Sequence, residues 1–275
     1  MQNSINLKKH HYNYGIDELA YFDEGKGEQT ILLIHGFGED NTIWKNQIAF
    51  LSTYYRVIAP NLPGVHCKPL VLHHSQAPSI RMYVEVLHDL MHHLHIDQYY
   101  LVGHSMGGYI GLSFADVYVN HVQGLMLFHS TTYEDNEAKK LSRMKVAEFI
   151  QEWSVSKFLE TATPNLFGDA FKKTNPGVIQ DTIESGLGTS QEAMIQFVFA
   201  MRNRKAMTHL LQQSNMPIWM IAGDVDLAVP IQDSLEQIKL LTSPNSLVLK
   251  EVGHMGMLEA TDQVNQFIHQ CIQSA

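Results

Sequence analysis

Two cysteines in 275 residues, Cys67 and Cys271, are too few for a disulfide framework. Their spacing matches no zinc-binding pattern, and the simplest implication is a reducing compartment. Long apolar runs are missing as well: nothing reaches the ~18 consecutive apolar residues of a membrane-spanning helix. The opening segment Met1–His10 has no apolar stretch of the kind a secretory signal carries. Basic residues are scarce beside acidic ones, 19 against 28, for a formal net charge of -9. No basic stripe offsets that balance, which argues against nucleic acid or an anionic membrane as partner. Internal repeats and low-complexity tracts are absent too. These absences leave a soluble cytoplasmic protein as the default expectation. With no extended apolar stripe, the sequence assigns no oligomeric state.

What is present is ordinary globular composition, 45% hydrophobic and 17% charged, in a chain long enough for one large domain with a full core. Histidine is plentiful at 16. His88, His92 and His95 fall on one face of a helical pattern over about 80–95. We read them as the wet side of an amphipathic helix that buries Val84, Leu87, Leu90, Met91 and Leu94, not as a metal site. His73 and His74 carry less information still.

Strand signals recur at the spacing of an α/β protein. Leu19–Phe22 and the turn Glu24–Gly27 read as a hairpin into Thr30–Ile34, an unbroken apolar run of the kind buried on both faces. Arg56–Ala59, Tyr99–Val102, Val122–Phe128, Pro217–Ala222 and Ser246–Lys250 follow as strands. Helical patterns occupy about 41–52, 80–95 and 260–273. Between 128 and 217 the rhythm changes to helix-like segments only, at about 135–152, 154–163, 176–185, 190–202 and 203–213. A parallel crossover needs far fewer residues, so this stretch is an insertion. The expected organisation is a core of 1–130 and 214–275 with a helical lid of 131–213, packed over the carboxyl ends of the strands.

Gly103-His104-Ser105-Met106-Gly107 is a G-x-S-x-G run placed between a strand and a helix-compatible stretch. That context makes it a nucleophile elbow, with Ser105 Oγ exposed above the sheet and a helix N-terminus behind it. A serine hydroxyl near neutral pH needs a base, and the base needs an orienting group. His254, in Gly253-His254 after strand 246–250, is the candidate base. Asp226, in Gly223-Asp-Val-Asp226 after strand 217–222, is the candidate orienting acid, with Asp224 two residues away as the alternative and Glu134 and Asp135 more remote. An oxyanion hole needs two backbone N–H donors. Met106 supplies one, and Phe37 in His35-Gly36-Phe37-Gly38, the loop after strand 30–34, supplies the other.

On these motifs the chain resembles the α/β-hydrolase superfamily, from about residue 19 to the C-terminus with the lid interrupting. The resemblance implies a mostly parallel central sheet flanked by helices, a Ser-Asp-His triad in that chain order, and no metal or organic cofactor. One departure is visible. Family members often carry Asp-x-x-Gly-x-Gly-x-Ser after the strand equivalent to 56–59, whereas this chain reads Asn61-Leu-Pro-Gly64-Val-His66-Cys67-Lys68. The change concerns the loop beside the crevice and puts His66 and Cys67 near it, with a plain structural role preferred over contact with substrate.

The expected activity is hydrolysis of carboxylic esters of small or medium apolar acyl groups through an acyl-enzyme. Of the lid residues Met144, Phe149, Trp153, Phe158, Leu166, Phe167, Met194, Phe197, Phe199 and Met201, two or three should face substrate. Two readings stay open beside it. One is C–C bond hydrolysis or acyl transfer by the same triad, which basic residues in the crevice, such as Arg143, Arg202 or Arg204, would favour. The other is a ligand receptor that keeps the fold without turnover.

Overall fold

The unbroken apolar runs form the middle of one eight-stranded sheet in the computed structural model, which describes residues 7–15, 17–72, 76–242 and 246–275. The strands are β1 Lys9–Tyr14, β2 Asp17–Glu24, β3 Thr30–Ile34, β4 Arg56–Pro60, β5 Tyr99–His104, β6 Val122–Phe128, β7 Ile218–Gly223 and β8 Ser246–Leu249. Their order across the sheet is β1-β2-β4-β3-β5-β6-β7-β8. From β4 to β8 all neighbours are parallel, while β1 and β2 add an antiparallel edge. Every residue of β3, β5 and β7 is buried, as helices covering both faces require.

The expected hairpin is not formed. β2 pairs antiparallel with β1 and β4, and β3 lies on the far side of β4. The reason is in the link between them. Gly25 and Gly27 pass so close to the turn at 52–55 that a Cβ on either would sit 2.1 or 2.2 Å from the carbonyls of Tyr55 and Tyr54. The glycines serve a crossing beneath that turn, a pattern that looks like hairpin punctuation in sequence. β1 escaped the sequence reading because Lys-His-His-Tyr-Asn-Tyr has no apolar face; it is an exposed edge strand.

The helices are α1 Lys45–Leu51, α2 Ile80–His93, α3 Met106–Val117, α4 Glu137–Glu152, α5 Val155–Ala162, α6 Asp169–Thr174, α7 Pro176–Gly186, α8 Gln191–Arg202, α9 Leu210–Gln213, α10 Ile231–Ile238, α11 Gly256–Glu259 and α12 Thr261–Gln273. α2 buries Tyr83, Val84, Leu87, Leu90 and Met91. His92 and His95 are exposed, and His88 stacks on Tyr118 at 3.7 Å. His73 and His74 lie outside the described residues. Between β6 and β7, α4 to α9 contain no strand among the described residues. α6 was not expected, and of 203–213 only Leu210–Gln213 is helical, because Arg204 and Met207 tie that stretch to Tyr133 and Thr132 instead.

The sheet order reverses at β3. β4 lies on one side of it and β5 on the other, so the loops after β3 and β5 leave in opposite directions and open a crevice at the carboxyl edge. The loops after β7 and β8 end at the same edge.

Candidate active site

Backbone strain marks the turn after β5. Ser105 has φ 52° and ψ −113°, a conformation L-residues avoid at a cost of about 1–3 kcal/mol. Its N–H donates to Phe128 O at 2.9 Å, and its carbonyl accepts from Gly108 N at 3.0 Å and Ser130 Oγ at 2.8 Å. The two motif glycines are required by close approach: a Cβ on Gly103 would lie 2.3 Å from Gly107 O, and one on Gly107 would lie 2.2 Å from Ile34 O. The turn is therefore clamped between β3, β6 and α3, with Ser105 at its apex.

The loop after β8 brings His254 to the same edge. Its backbone N–H donates to Leu166 O at 2.6 Å, so the helical insertion fixes its main chain. Its Nδ1–H donates to Asp226 Oδ2 at 2.7 Å, and both side chains are buried. Asp226 is held from every side. Its Oδ1 accepts the N–H groups of Ala228 and Val229 at 2.8 and 2.9 Å, and its Oδ2 also accepts Nδ1–H of His129 at 3.1 Å. Asp224 instead accepts the N–H of Glu251, which has φ 60°. Glu134 is exposed, and Asp135 is bound between Arg143 and Arg204. The structure thus puts Asp226, and not its alternatives, against the imidazole.

Burial opposes ionisation of Asp226, yet the His254 and His129 rings outweigh it and hold the carboxyl far below its ordinary range. Burial likewise opposes charging of His254, but Asp226 prevails and raises its pKa above 6.5. His129 goes the other way: burial dominates and pushes it down to about 4, so it is neutral at pH 7. A carboxylate only accepts, so His129 carries its proton on Nδ1 and its Nε2 is a buried acceptor without a partner among the described residues. That Nε2 packs against Gly256, where a Cβ would come within 2.5 Å. His129, Asp226 and His254 are also the one group among the described residues with ligand atoms close enough for a metal ion. Both Nδ1–H groups aim at Asp226, so an ion there would displace both protons.

The loop after β3 is tied to the other two. Gly36 N–H donates to Glu39 Oε2 at 2.7 Å, and Glu39 faces Nδ1 of His104 at 3.0 Å. His104 Nε2–H donates to His254 O at 2.9 Å. One buried chain, Gly36–Glu39–His104–His254, therefore links the first loop, the residue before Ser105 and the histidine loop. Burial opposes ionisation of Glu39, but the facing His104 ring outweighs it and lowers its pKa. His35 accepts Leu62 N–H on Nε2 at 3.0 Å, which leaves Nδ1–H for Gly36 O at 2.9 Å. The backbone N–H groups of Phe37 and Met106 have no acceptor among the described residues.

Ser105 and His254 line one cavity of about 290 Å³, with Phe37 and Tyr109 on the sheet side. No hydrogen bond joins Ser105 Oγ to His254 in this structure. Of the ten apolar insertion residues considered from sequence, Phe158, Leu166 and Met201 line the cavity. Phe167, Met194 and Phe197 are buried in the core, and Trp153 is exposed. Arg143 reaches the cavity together with Lys139, whereas Arg204 lies 4.0 Å over the Tyr109 ring and Arg202 contacts Asn203. His66 and Cys67 do not line it. His66 pairs with Asp40 at 3.1 Å, and Cys67 Sγ accepts from Gly64 N at 3.4 Å. Asn61, the departure from the family pattern, is buried and accepts Asn41 N–H at 2.9 Å.

Sequence reasoning missed Glu39, His104 and His129. The signal for His129 was available: it directly follows β6, at the same edge as the other loops. Glu39 and His104 gave none, because their pairing spans 65 residues.

The family model described as alpha/beta hydrolase fold matches residues 29–175, more than half of the chain. Among curated proteins, the dihydrolipoyllysine-residue acetyltransferase component of the acetoin cleaving system from Pseudomonas putida is 27% identical over 248 residues, 88% of this chain and 63% of that protein. The chain thus spans less than two thirds of that relative's length. The 2-hydroxy-6-oxo-6-(2'-aminophenyl)hexa-2,4-dienoic acid hydrolase of Metapseudomonas resinovorans is 26% identical over 256 residues, 90% of this chain and 84% of that protein. Among solved structures, a malate-bound thermophilic esterase from Thermogutta terrifontis superposes with a TM-score of 0.88 at 26% identity, covering 97% of this chain and 98% of that one.

Proposed function

Because the chain belongs to the alpha/beta hydrolase family and is an enzyme of hydrolase type, we propose that it cleaves carboxylic esters through an acyl-enzyme on Ser105. The observation that carries this reading is the 2.7 Å contact of His254 Nδ1 with Asp226, on the wall of the cavity that Ser105 also lines. Ser105 Oγ attacks the ester carbonyl while its proton passes to His254 Nε2. Asp226 holds the ring by Nδ1–H and stabilises the imidazolium. The free N–H groups of Phe37 and Met106 receive the oxyanion. His254 then gives its proton to the departing alcohol oxygen. Water attacks the acyl-enzyme, its proton goes to His254, and the carboxylic acid leaves as Ser105 Oγ takes that proton back. The bond from Ser105 Oγ to His254 forms as substrate enters, as such contacts do when free sites are loose.

Residues 131–213 act as a lid over a core of 1–130 and 214–275, with Phe158, Leu166 and Met201 against the acyl group. No cofactor enters the scheme. The test is hydrolysis of p-nitrophenyl esters of increasing acyl length by the purified protein and by Ser105→Ala. Turnover that falls at least about a thousandfold in the variant supports the reading. Turnover that survives overturns it. C–C bond cleavage by the same three residues is the second reading, favoured by the Metapseudomonas hydrolase's similarity along 90% of this chain. Inert esters together with cleavage of a vinylogous diketone, lost in Ser105→Ala, would decide for it.

A further inference from the structure

The face of α4 that lines the cavity is basic. Lys139, Ser142, Arg143 and Val146 recur at the spacing of one helical stripe, and all four border the cavity that Ser105 and His254 share. This placement is electrostatically unfavourable within the protein. Like charges four residues apart on a helix repel, and Lys139 sits in the first turn of α4, where the helix dipole is already positive. Lys139 Nζ donates once, to Ala228 O at 3.2 Å, and meets no carboxylate among the described residues. Arg143 gives Nε to Asp135 at 3.0 Å, and its two terminal nitrogens find no acceptor among the described residues. Asp135 is also claimed by Arg204 at 2.8 Å, so two guanidinium groups share that one carboxylate and none is left for Lys139.

The acids on the opposite side are engaged. Glu39 is taken by Gly36 N–H and His104, and Asp226 by four N–H groups. The cavity is therefore polarised, with compensated carboxylates behind the histidines and unspent cationic donors on α4. A carboxylate fits those donors: the outer nitrogens of a guanidinium grip its two oxygens, and an ammonium adds a point charge.

We propose that Lys139 and Arg143 form an anion subsite, and that the preferred substrate is an ester whose acyl part ends in a carboxylate, a half-ester of a dicarboxylic acid. This rests on the serine-hydrolase reading above for the bond that is cleaved, but not for the binding of the anion. The substrate's middle would lie against Phe158, Leu166 and Met201, with its ester carbonyl at Ser105 and its free carboxylate at α4.

The test compares mono-p-nitrophenyl esters of succinic, glutaric and adipic acid with p-nitrophenyl esters of uncharged acids of the same acyl length. At least one half-ester should exceed its neutral counterpart about tenfold or more in kcat/KM, mainly through KM. Lys139→Met should bring that ratio close to one, and Arg143→Gln should do the same if it folds. Equal values for charged and neutral esters, or preference for the neutral ones, overturn the proposal. If no ester is turned over, the serine-hydrolase reading fails by itself, and calorimetry with glutarate then decides the subsite. Binding to the wild type that weakens about tenfold in Lys139→Met supports it, and equal or absent binding overturns it.

Discussion

Two buried carboxylates follow two adjacent strands, Asp135 after β6 and Asp226 after β7. Both are depressed in pKa against the penalty of burial, yet they face different partners. Asp226 meets two imidazoles and two backbone N–H groups. Asp135 meets two guanidinium groups, from α4 and from the segment after α8. A guanidinium never gives up its charge near neutral pH, so Asp135 can only pin α4 and the segment after α8 to the chain that leaves β6. An imidazole titrates there, so Asp226 converts its own fixed charge into a raised basicity of His254. The same residue type in the same kind of loop is thus a structural clamp in one place and, in the proposed mechanism, a tuner of the base in the other, and the partner decides which.

The sharpest way to break this contrast is to neutralise each acid in turn. Asp226→Asn should lower kcat by roughly a thousandfold or more, because the amide no longer fixes the tautomer of His254. Its thermal midpoint should move much less than its rate, and a loss of under tenfold would refute the assigned role. Asp135→Asn should do the reverse. It leaves Arg143 and Arg204 facing each other without a counter-charge, which costs about 3–5 kcal/mol of stability in denaturant unfolding. Turnover of a neutral ester per folded molecule should stay within about tenfold of wild type. The stabilisation by Asp135 is present above its ordinary pKa of 3.8 and disappears as pH falls through its lower folded value.

His129 refines the comparison, since it makes Asp226 the acid with two histidines. His129→Ala should reduce kcat by up to about tenfold, and His129→Asn, which keeps an N–H donor, should recover most of that. Full activity in His129→Ala would remove it from the positioning network. The smallest effects are in pH dependence. The proposed mechanism needs neutral His254 and its pKa is raised, so kcat/KM should climb with pH through a midpoint above 6.5. Lys139 opposes protonation of His254, so Lys139→Met should move that midpoint further up. A downward movement would contradict the placement of its charge beside the cavity.

How legible these features were depends on how far apart their causes lie in the chain. β3 and β6 were readable to the residue, because a strand covered on both faces is apolar along most of its length. The elbow was readable because its glycines answer local crowding. The edge pairing was not: the glycines at 25 and 27 gave the signal of a hairpin, and only the path over the turn at 52–55 decides that β2 joins β1 and β4. Arg143 and Arg204 looked alike in sequence. Their separation into a cavity cation and a buried partner of Tyr109 follows from how α4 and α8 pack.

By itself the sequence determined the parallel α/β sheet, the strand–turn–helix at Ser105, and the order in which serine, acid and histidine loops leave the same edge. Those features arise from short-range patterns of hydrophobicity, glycine and strand spacing, which neighbouring residues alone impose. Tertiary structure decided that Asp226 rather than Asp224 faces the ring and that His129 shares its carboxylate. It also decided that Glu39 and His104 tie three loops together, and that Lys139 and Arg143 look into the cavity. Each of these depends on directions and distances between groups far apart in the chain. Buried polar groups must find partners wherever packing brings them, and no local pattern encodes that encounter.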